Sequence, residues 1–339
     1  MTPPTVSVAL CTYNGAQYVA EQVRSILNQT MPPSQLVISD DGSTDDTLEI
    51  IAGVTQGSTV TVDIIRNVAP LGVVRNFQQA MLACTGQLIA LSDQDDVWHP
   101  DRLEVAVARF EASSELMLAH SDARLVDGQG HPLGYSLFDA LGVSARERTD
   151  AAHGDEFAAL LRRNLVTGAA ALFSARVVEP AVPFPDLWIH DEWLAVIATA
   201  IGEGELIDAE LVDYRQHGAN QIGVQKLGLR AQLSKLVEPR NGRNVYLANR
   251  TALLVERLES LGDLVRPEAL ASARAKLAHL RVRANYSRNR LARFIPVLRE
   301  LRTGRYGRYT RGTGDVLRDL LQPAGDESDA GQRIVAGKG

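Results

Sequence analysis

The sequence predicts an open α/β sheet whose central strands run mostly parallel under helices, followed by a separate basic helical extension. Three observations carry the prediction. Strand-sized apolar runs alternate with helix-sized amphipathic runs through the first hundred residues. The early strand runs end in short polar or acidic loops. Cationic residues concentrate after residue 225.

The run VSVALC at 6–11 is uninterrupted and apolar, as a strand buried on both faces requires. A loop from Thr12 to Gly15 follows, then an amphipathic helix over 16–29 closed by Pro32 and Pro33. The unit repeats as strand 36–39, loop 40–43 and a helix from Thr44; strand 60–65 and helix 73–83; strand 87–91, loop 92–96 and a helix from Pro100. Ligands of such sheets bind beyond the carboxyl ends of the strands, where loops 12–15, 40–43 and 92–96 all lie. After residue 116 the pattern is mixed, with strands expected at 117–120 and 168–173 and helices at 155–164 and 191–201. From 226 to 321 the chain reads as Arg- and Leu-rich helices with breaks at 239–242, Gly262, Pro267 and 304–307. The stretch 322–339, rich in Gly, Ala and Asp, is expected to be a mobile tail. The domains expected are therefore 1–224, 225–321 and the tail.

A chain of 339 residues with 45% hydrophobic content can bury a large core and is not a disordered polypeptide. Its net charge of −6 conceals a split, because residues 1–224 carry −18 and residues 225–320 carry +13. The N-terminus lacks a basic segment followed by an apolar stretch, so no secretory signal is expected. The apolar runs at 165–174 and 193–201 fall short of the ~20 residues that span a bilayer, which limits membrane contact to the periphery. Cys11 and Cys84 have neither paired nor metal-ligand spacing, which fits a reducing, cytoplasmic setting.

Chemistry concentrates in two loops. Ser92-Asp93-Gln94-Asp95-Asp96-Val97-Trp98 puts three carboxylates in four residues directly after an apolar strand. Hard divalent cations take oxygen ligands, and Mg²⁺ in particular is held by one or two carboxylates together with substrate phosphates. On the triplet alone, a solvated acidic turn capping the next helix explains the residues equally well. The strand before it and the neighbouring loops favour the metal. The second loop, Ser39-Asp40-Asp41-Gly42-Ser43-Thr44-Asp45-Asp46-Thr47, offers a carboxylate at Asp40 that can accept the imide N–H of uracil or thymine. Asp45 and Asp46 read first as helix-capping residues.

Together with VSVALCTYNG, with the Asn-x-x-x-x-Gly-Val-Val-Arg-Asn-Phe run at 67–77 and with GQLIALSDQDDVW, these loops resemble family 2 glycosyltransferases of the GT-A fold. The Asp-Gln-Asp-Asp-Val-Trp wording, His190-Asp191-Glu192-Trp193 and Tyr214-Arg215-Gln216-His217 further resemble the bacterial rhamnosyltransferase-like branch. The resemblance covers about residues 5–222, and its motifs are specific in combination while each alone is weak.

The resemblance implies a nucleotide-sugar half at 1–100 and an acceptor half at 101–224. It implies that Thr12 and Tyr13 line the nucleotide, that Asp40 binds the base, that Arg75 meets the diphosphate or base, and that Asp93 lies on the ribose side. Asp95 is then the direct ligand of Mg²⁺ or Mn²⁺, with His217 as a second ligand, and Asp191 is the general base. His190 departs from the pattern, standing where the family commonly has glutamate. A structural role is the alternative for His217, as for any lone histidine. Trp98, Trp188 and Trp193 are candidates for stacking on sugar rings or, for at least two of them, for the core.

The activity implied is an inverting transfer of a sugar, with dTDP-rhamnose as donor and UDP-sugars as the alternative, to a hydroxyl of a cell-surface glycan or lipid-linked acceptor. Asp191 takes the acceptor proton as the new bond forms, and no covalent nucleophile is needed. The expected place is the cytoplasm, with peripheral contact at the inner face of the membrane. A metal-dependent nucleotidyltransferase or pyrophosphatase is the rival enzyme, and no Lys precedes Lys226 to supply a P-loop. A sugar-nucleotide-binding protein without turnover is the rival from another class. Nucleic-acid binding by the basic helices lacks a recognition motif and is not expected.

Overall fold

The computed structural model describes residues 3–152, 156–217, 238–239 and 242–323. The chain divides into two compact units, Met1–Glu156 with Leu165–Asn220, and Phe157–Asn164 with Gln221–Gly339.

In the first unit one sheet runs in the order β3-β2-β1-β4-β8-β6-β9-β5, with β7 paired to β6. The strands β1 (Val6–Thr12), β2 (Gln35–Asp40), β3 (Thr61–Arg66) and β4 (Leu88–Ser92) form a parallel block. Three helices belong to it: α1 (Val19–Leu27), α2 (Thr47–Thr55) and α3 (Val73–Ala83). Strands β1, β2 and β4 are buried along their whole length, as expected of central strands covered on both faces, while β3 at the edge is largely exposed. The register pairs Thr12 with Asp40 and Leu10 with Ser92, so three strands end side by side and their loops share one edge of the sheet.

Beyond β4 the sheet is mixed: β8 runs antiparallel to both β4 and β6, and a short turn joins β6 and β7 as an antiparallel hairpin. A two-residue β5 (Val97–Trp98) precedes α4 (Arg102–Ala112). Then come β6 (Leu116–Val126), β7 (Pro132–Ser136), α5 (Leu137–Leu141), α6 (Ala145–Ala152) and α7 (Glu156–Arg162). The small-residue run expected as one strand at 168–173 divides into a 3₁₀ turn, Gly168–Ala170, and β8 (Ala171–Ser174). After α8 (Val178–Ala181), helix α9 (His190–Ile201) is almost wholly buried. The last strand, β9 (Glu203–Arg215), runs parallel to β6 and antiparallel to β5. Its many charged residues break any long apolar run, so the sequence indicates a strand only just before the turn at Gln216-His217 and not over the full length.

Among the described residues, the second unit holds α7 from Phe157 onward together with α10 (Arg243–Ser260), α11 (Pro267–Ala284), α12 (Arg290–Arg302), α13 (Arg305–Tyr309) and α14 (Thr313–Leu321). Pro267 opens α11 from its first turn, where a missing N–H costs nothing. Tyr286, Val297, Tyr306 and Val316 form an apolar cluster, flanked by a buried polar network. There Arg283 and the Tyr306 hydroxyl both donate to Asp319, at 2.6 and 2.7 Å, and His279 meets Glu300 at 2.8 Å. The expected helix start near Lys226 and most of the expected tail lie outside the described residues. No described helix is long and apolar enough to cross a membrane.

Candidate active site

The first two loops are knitted together by their own polar groups. Asn14 adopts a left-handed φ of 48°, donates from its backbone to Ser43 Oγ at 2.8 Å and accepts from the Thr44 N–H at 2.9 Å. Asp40 is fully buried and accepts from Thr12 Oγ1 at 2.9 Å, Ser43 N–H at 2.9 Å, Ser43 Oγ at 2.5 Å and Gly42 N–H at 3.2 Å. Both its oxygens are engaged by the chain, so Asp40 here shapes the loop, and base recognition through it requires one of these donors to give way. Asp41 likewise accepts from Leu71 and Gly72 N–H groups, at 2.7 and 2.9 Å. Asp45 and Asp46 are expected to cap the helix; Asp46 holds the N-cap position of α2 without a side-chain capping bond, while Asp45 accepts from the Thr47 N–H and ties the first loop through the Ala16 N–H. Tyr13 is left 48% exposed at the mouth of these loops.

The acidic loop after β4 is fixed to the first loop by Gln94. Its side chain accepts from Tyr13 N–H at 2.8 Å and donates to Tyr13 O at 3.0 Å. Gly15 permits that approach, because a Cβ there would lie 2.5 Å from Gln94 Cδ. From the other side, the end of β9 binds the same loop. Arg215 donates from its backbone to Asp96 Oδ1 at 3.0 Å and from Nε to Asp95 O at 2.8 Å, while its Nη2 reaches Glu21 at 2.6 Å. His217 Nε2 meets Asp95 Oδ2 at 2.7 Å and the ring stacks on Tyr18, 4.8 Å between centroids.

Asp191 begins α9, where the helix N-terminus favours an ionised carboxylate. Its Oδ2 accepts from Gly168 N–H at 3.0 Å and its Oδ1 from Glu192 N–H at 2.6 Å. The turn that supplies Gly168 is held by Arg102, a buried cation that donates to Ala169 O at 2.7 Å and lies 3.5 Å over the Trp98 ring. Burial lowers the Arg102 guanidinium to about 9, against the opposing pull of Asp96. His190 packs on Phe77 with ring centroids 3.9 Å apart, both its nitrogens lack a hydrogen-bond partner, and burial lowers it to about 3. It is therefore a neutral aromatic filler rather than a substitute for glutamate.

Electrostatics locate the carboxylates relative to one another. Burial, then the charges of Asp95 and Asp191, push Asp93 up to about 8. Burial, then Asp96, Asp93, Asp95 and Asp191, push the Tyr214 phenol well up. Carboxylates from two distant stretches of sequence thus act on one space around Tyr214. Among the described residues, no group of three or more His, Cys, Asp or Glu stands assembled as a cation site. Asp95 with His217 is a two-residue oxygen and nitrogen donor set, compatible with Mg²⁺ or Mn²⁺ when diphosphate oxygens and water complete the shell.

Thr12, Tyr13, Asp40, Asp93, Asp95, Asp191 and His217 therefore lie on loops and element ends along one sheet edge. Arg75 turns instead to Asp186, in a largely exposed pair at 2.9 Å that is worth little in water. Trp98, Trp188 and Trp193 are all buried, so none offers a face to a sugar. Gln94, Arg102 and Tyr214 carry no sequence signal for their roles beyond lying inside or beside the acidic and His217 motifs.

Residues 7–166 match the family profile described as Glycosyl transferase family 2. The chain is 29% identical over 228 residues to an uncharacterized glycosyltransferase of Nostoc sp., covering 63% of this chain and 66%, just under two thirds, of that protein. It is 26% identical over 246 residues to a dTDP-rhamnosyl transferase of Shigella flexneri, covering 68% of this chain and 79% of that one. Among solved structures, the mannosyltransferase of Pyrobaculum calidifontis in complex with GDP-Man and Mn²⁺ superimposes with a TM-score of 0.55 at 17% identity, covering 95% of this chain and 86% of that one. At that identity the likeness speaks for the fold, which is the GT-A fold.

Proposed function

We propose that the chain, whose residues 7–166 match the family 2 glycosyltransferase profile, transfers a sugar from a nucleotide-diphosphate donor to an acceptor hydroxyl, inverting the anomeric centre. The observation that carries this reading is the acidic loop at the end of β4, where His217 meets Asp95 Oδ2 at 2.7 Å and where the charges of Asp95 and Asp191 both raise Asp93. An acidic loop at strand ends suits a metal–diphosphate, and a separate carboxylate at a helix start suits a base.

In this reading Asp95 and His217 hold Mg²⁺ or Mn²⁺, which when bound stabilises the charge developing on the departing diphosphate. Tyr13 and Thr12 border the nucleotide, and Asp93 takes the ribose side. Asp191 is held by the Gly168 N–H, which lowers its freedom to rotate, and it lies in the first turn of α9, where the helix N-terminus favours a negative charge. It accepts the acceptor's proton as the hydroxyl attacks from the face opposite the leaving group. The Shigella relative supports dTDP-rhamnose as donor, and a growing bacterial surface glycan or its lipid-linked precursor suits such a donor as acceptor.

The test is thermal stabilisation by a panel of dTDP-, UDP- and GDP-sugars with and without Mn²⁺. A ligand at a hundred times its Kd stabilises by about 2.7 kcal/mol. The largest shift is expected for dTDP-rhamnose with metal. A shift no greater than that of Mn²⁺ alone across the whole panel refutes donor binding, and a larger shift with a UDP- or GDP-sugar refutes the donor assignment.

A further inference from the structure

Helix α12 of the second unit is inverted with respect to polarity. At about 100° per residue, Arg293, Val297 and Glu300 share one face and Leu291, Phe294, Ile295 and Leu298 share the opposite one. The face turned into the unit is the charged one. Arg293 is fully buried and spends its guanidinium on the carbonyls of Ser287, Arg288, Asp319 and Gln322, while Glu300 meets His279. The face turned outward carries an apolar strip, with Leu291 87%, Phe294 55% and Ile295 61% exposed, and Arg302 at its C-terminal end in line with Ile295. A water-facing helix does the reverse, and contiguous exposed apolar side chains on one helix face mark a surface that meets another phase or partner.

The charges bordering this face select the partner. Arg290, Arg299 and Arg302 are exposed and form no ion pair among the described residues. The one acid of the helix, Glu300, is on the buried side. A second copy of the chain would bring the same cations against these, without an acid on this helix to answer them. An apolar strip rimmed by arginines matches instead an interface of acyl chains and anionic headgroups.

We propose that α12 docks the protein onto an anionic phospholipid bilayer, with Leu291, Phe294 and Ile295 entering the headgroup boundary and Arg290, Arg299 and Arg302 meeting lipid phosphates. The proposal concerns the second unit and stands independently of the donor and base assignments in the first.

The test uses the full chain in vesicle flotation at low salt, comparing phosphatidylglycerol–phosphatidylcholine vesicles with phosphatidylcholine alone. Binding at least tenfold greater to the anionic vesicles is expected. Phe294→Glu/Ile295→Glu should reduce it to the neutral-vesicle level, and Arg290→Glu/Arg299→Glu/Arg302→Glu should do the same, with unchanged thermal unfolding because every altered side chain is exposed. Equal binding to both vesicle types overturns the proposal, as does undiminished binding by both variants. A concentration-dependent dimer that Phe294→Glu dissolves, with no vesicle binding by the parent chain, assigns the face to a second copy and overturns it too.

Discussion

Replacing Gly15 by Ala tests how the acidic loop is held to the first loop. The added methyl would sit 2.5 Å from Gln94 Cδ, so Gln94 must leave its place and lose both hydrogen bonds to Tyr13. Each is worth about 1 kcal/mol net, giving a loss of ~2 kcal/mol. Restricting the unfolded chain returns up to ~1 kcal/mol, since Gly15 has no positive φ. Gly15→Ala is therefore predicted to cost about 1–2 kcal/mol and Gln94→Ala about 2 kcal/mol. In the double variant the methyl has room, so adding Gly15→Ala to Gln94→Ala should cost nothing or stabilise slightly. Urea unfolding followed by tryptophan fluorescence suits the measurement, because Trp98, Trp188 and Trp193 all lie in the first unit. The same three variants should weaken nucleoside diphosphate binding in calorimetry, through the loosened Tyr13. Additivity of the two substitutions within ~0.5 kcal/mol would show that the methyl and Gln94 do not meet, and the coupling between the loops would have to be abandoned.

Three further outcomes are expected. Asp95→Ala should abolish the enhancement of nucleoside diphosphate binding by Mn²⁺ in calorimetry, and equal enhancement in the variant disproves the metal assignment. Asp191→Asn should keep donor affinity while turnover on a defined acceptor falls by ~10²–10⁴-fold, whereas Glu192→Gln should do much less; near wild-type turnover by Asp191→Asn sinks the base assignment. His190 concerns stability against pH. Its folded value of about 3 lies below the unfolded value, so its neutral form stabilises the fold above about pH 6.5 and that contribution is lost as pH falls towards 3. The stability difference between parent and His190→Phe should therefore shift in the variant's favour by up to about 2 kcal/mol between pH 7 and 5; a pH-independent difference contradicts the burial of a neutral ring.

Much of the fold was legible in the sequence because its central strands have no ambiguity. VSVALC and LIALS are buried on both faces, so apolar continuity alone identifies them, and α3 begins and ends at the residues its periodicity indicates. The acidic loops stand out because their carboxylates follow directly on such strands, but the pattern does not show that Asp40, Asp41, Asp45 and Asp96 spend their oxygens on the chain itself. The strand β9 did not announce itself: its charged residues are satisfied by neighbours distant in sequence, as Asp213 is by Arg124 at 2.7 Å and by His99 at 2.9 Å. The tryptophans, at least two of which are expected in the core, are all three buried, and which of them could meet a sugar depended on what packs over them.

By itself, the sequence determined the βα order, the loops that carry the carboxylates and the charge division along the chain, since all three are properties of neighbouring residues. Only the tertiary structure decided which groups meet. The pairing of His217 with Asp95 spans 122 residues and that of Arg215 with Glu21 spans 194. It likewise decided that Asp40 is occupied by its own loop, that Arg75 turns to Asp186, and that the outward face of α12 is the apolar one. A helical pattern shows that a helix has two faces, but the packing of the other helices determines which of them is covered.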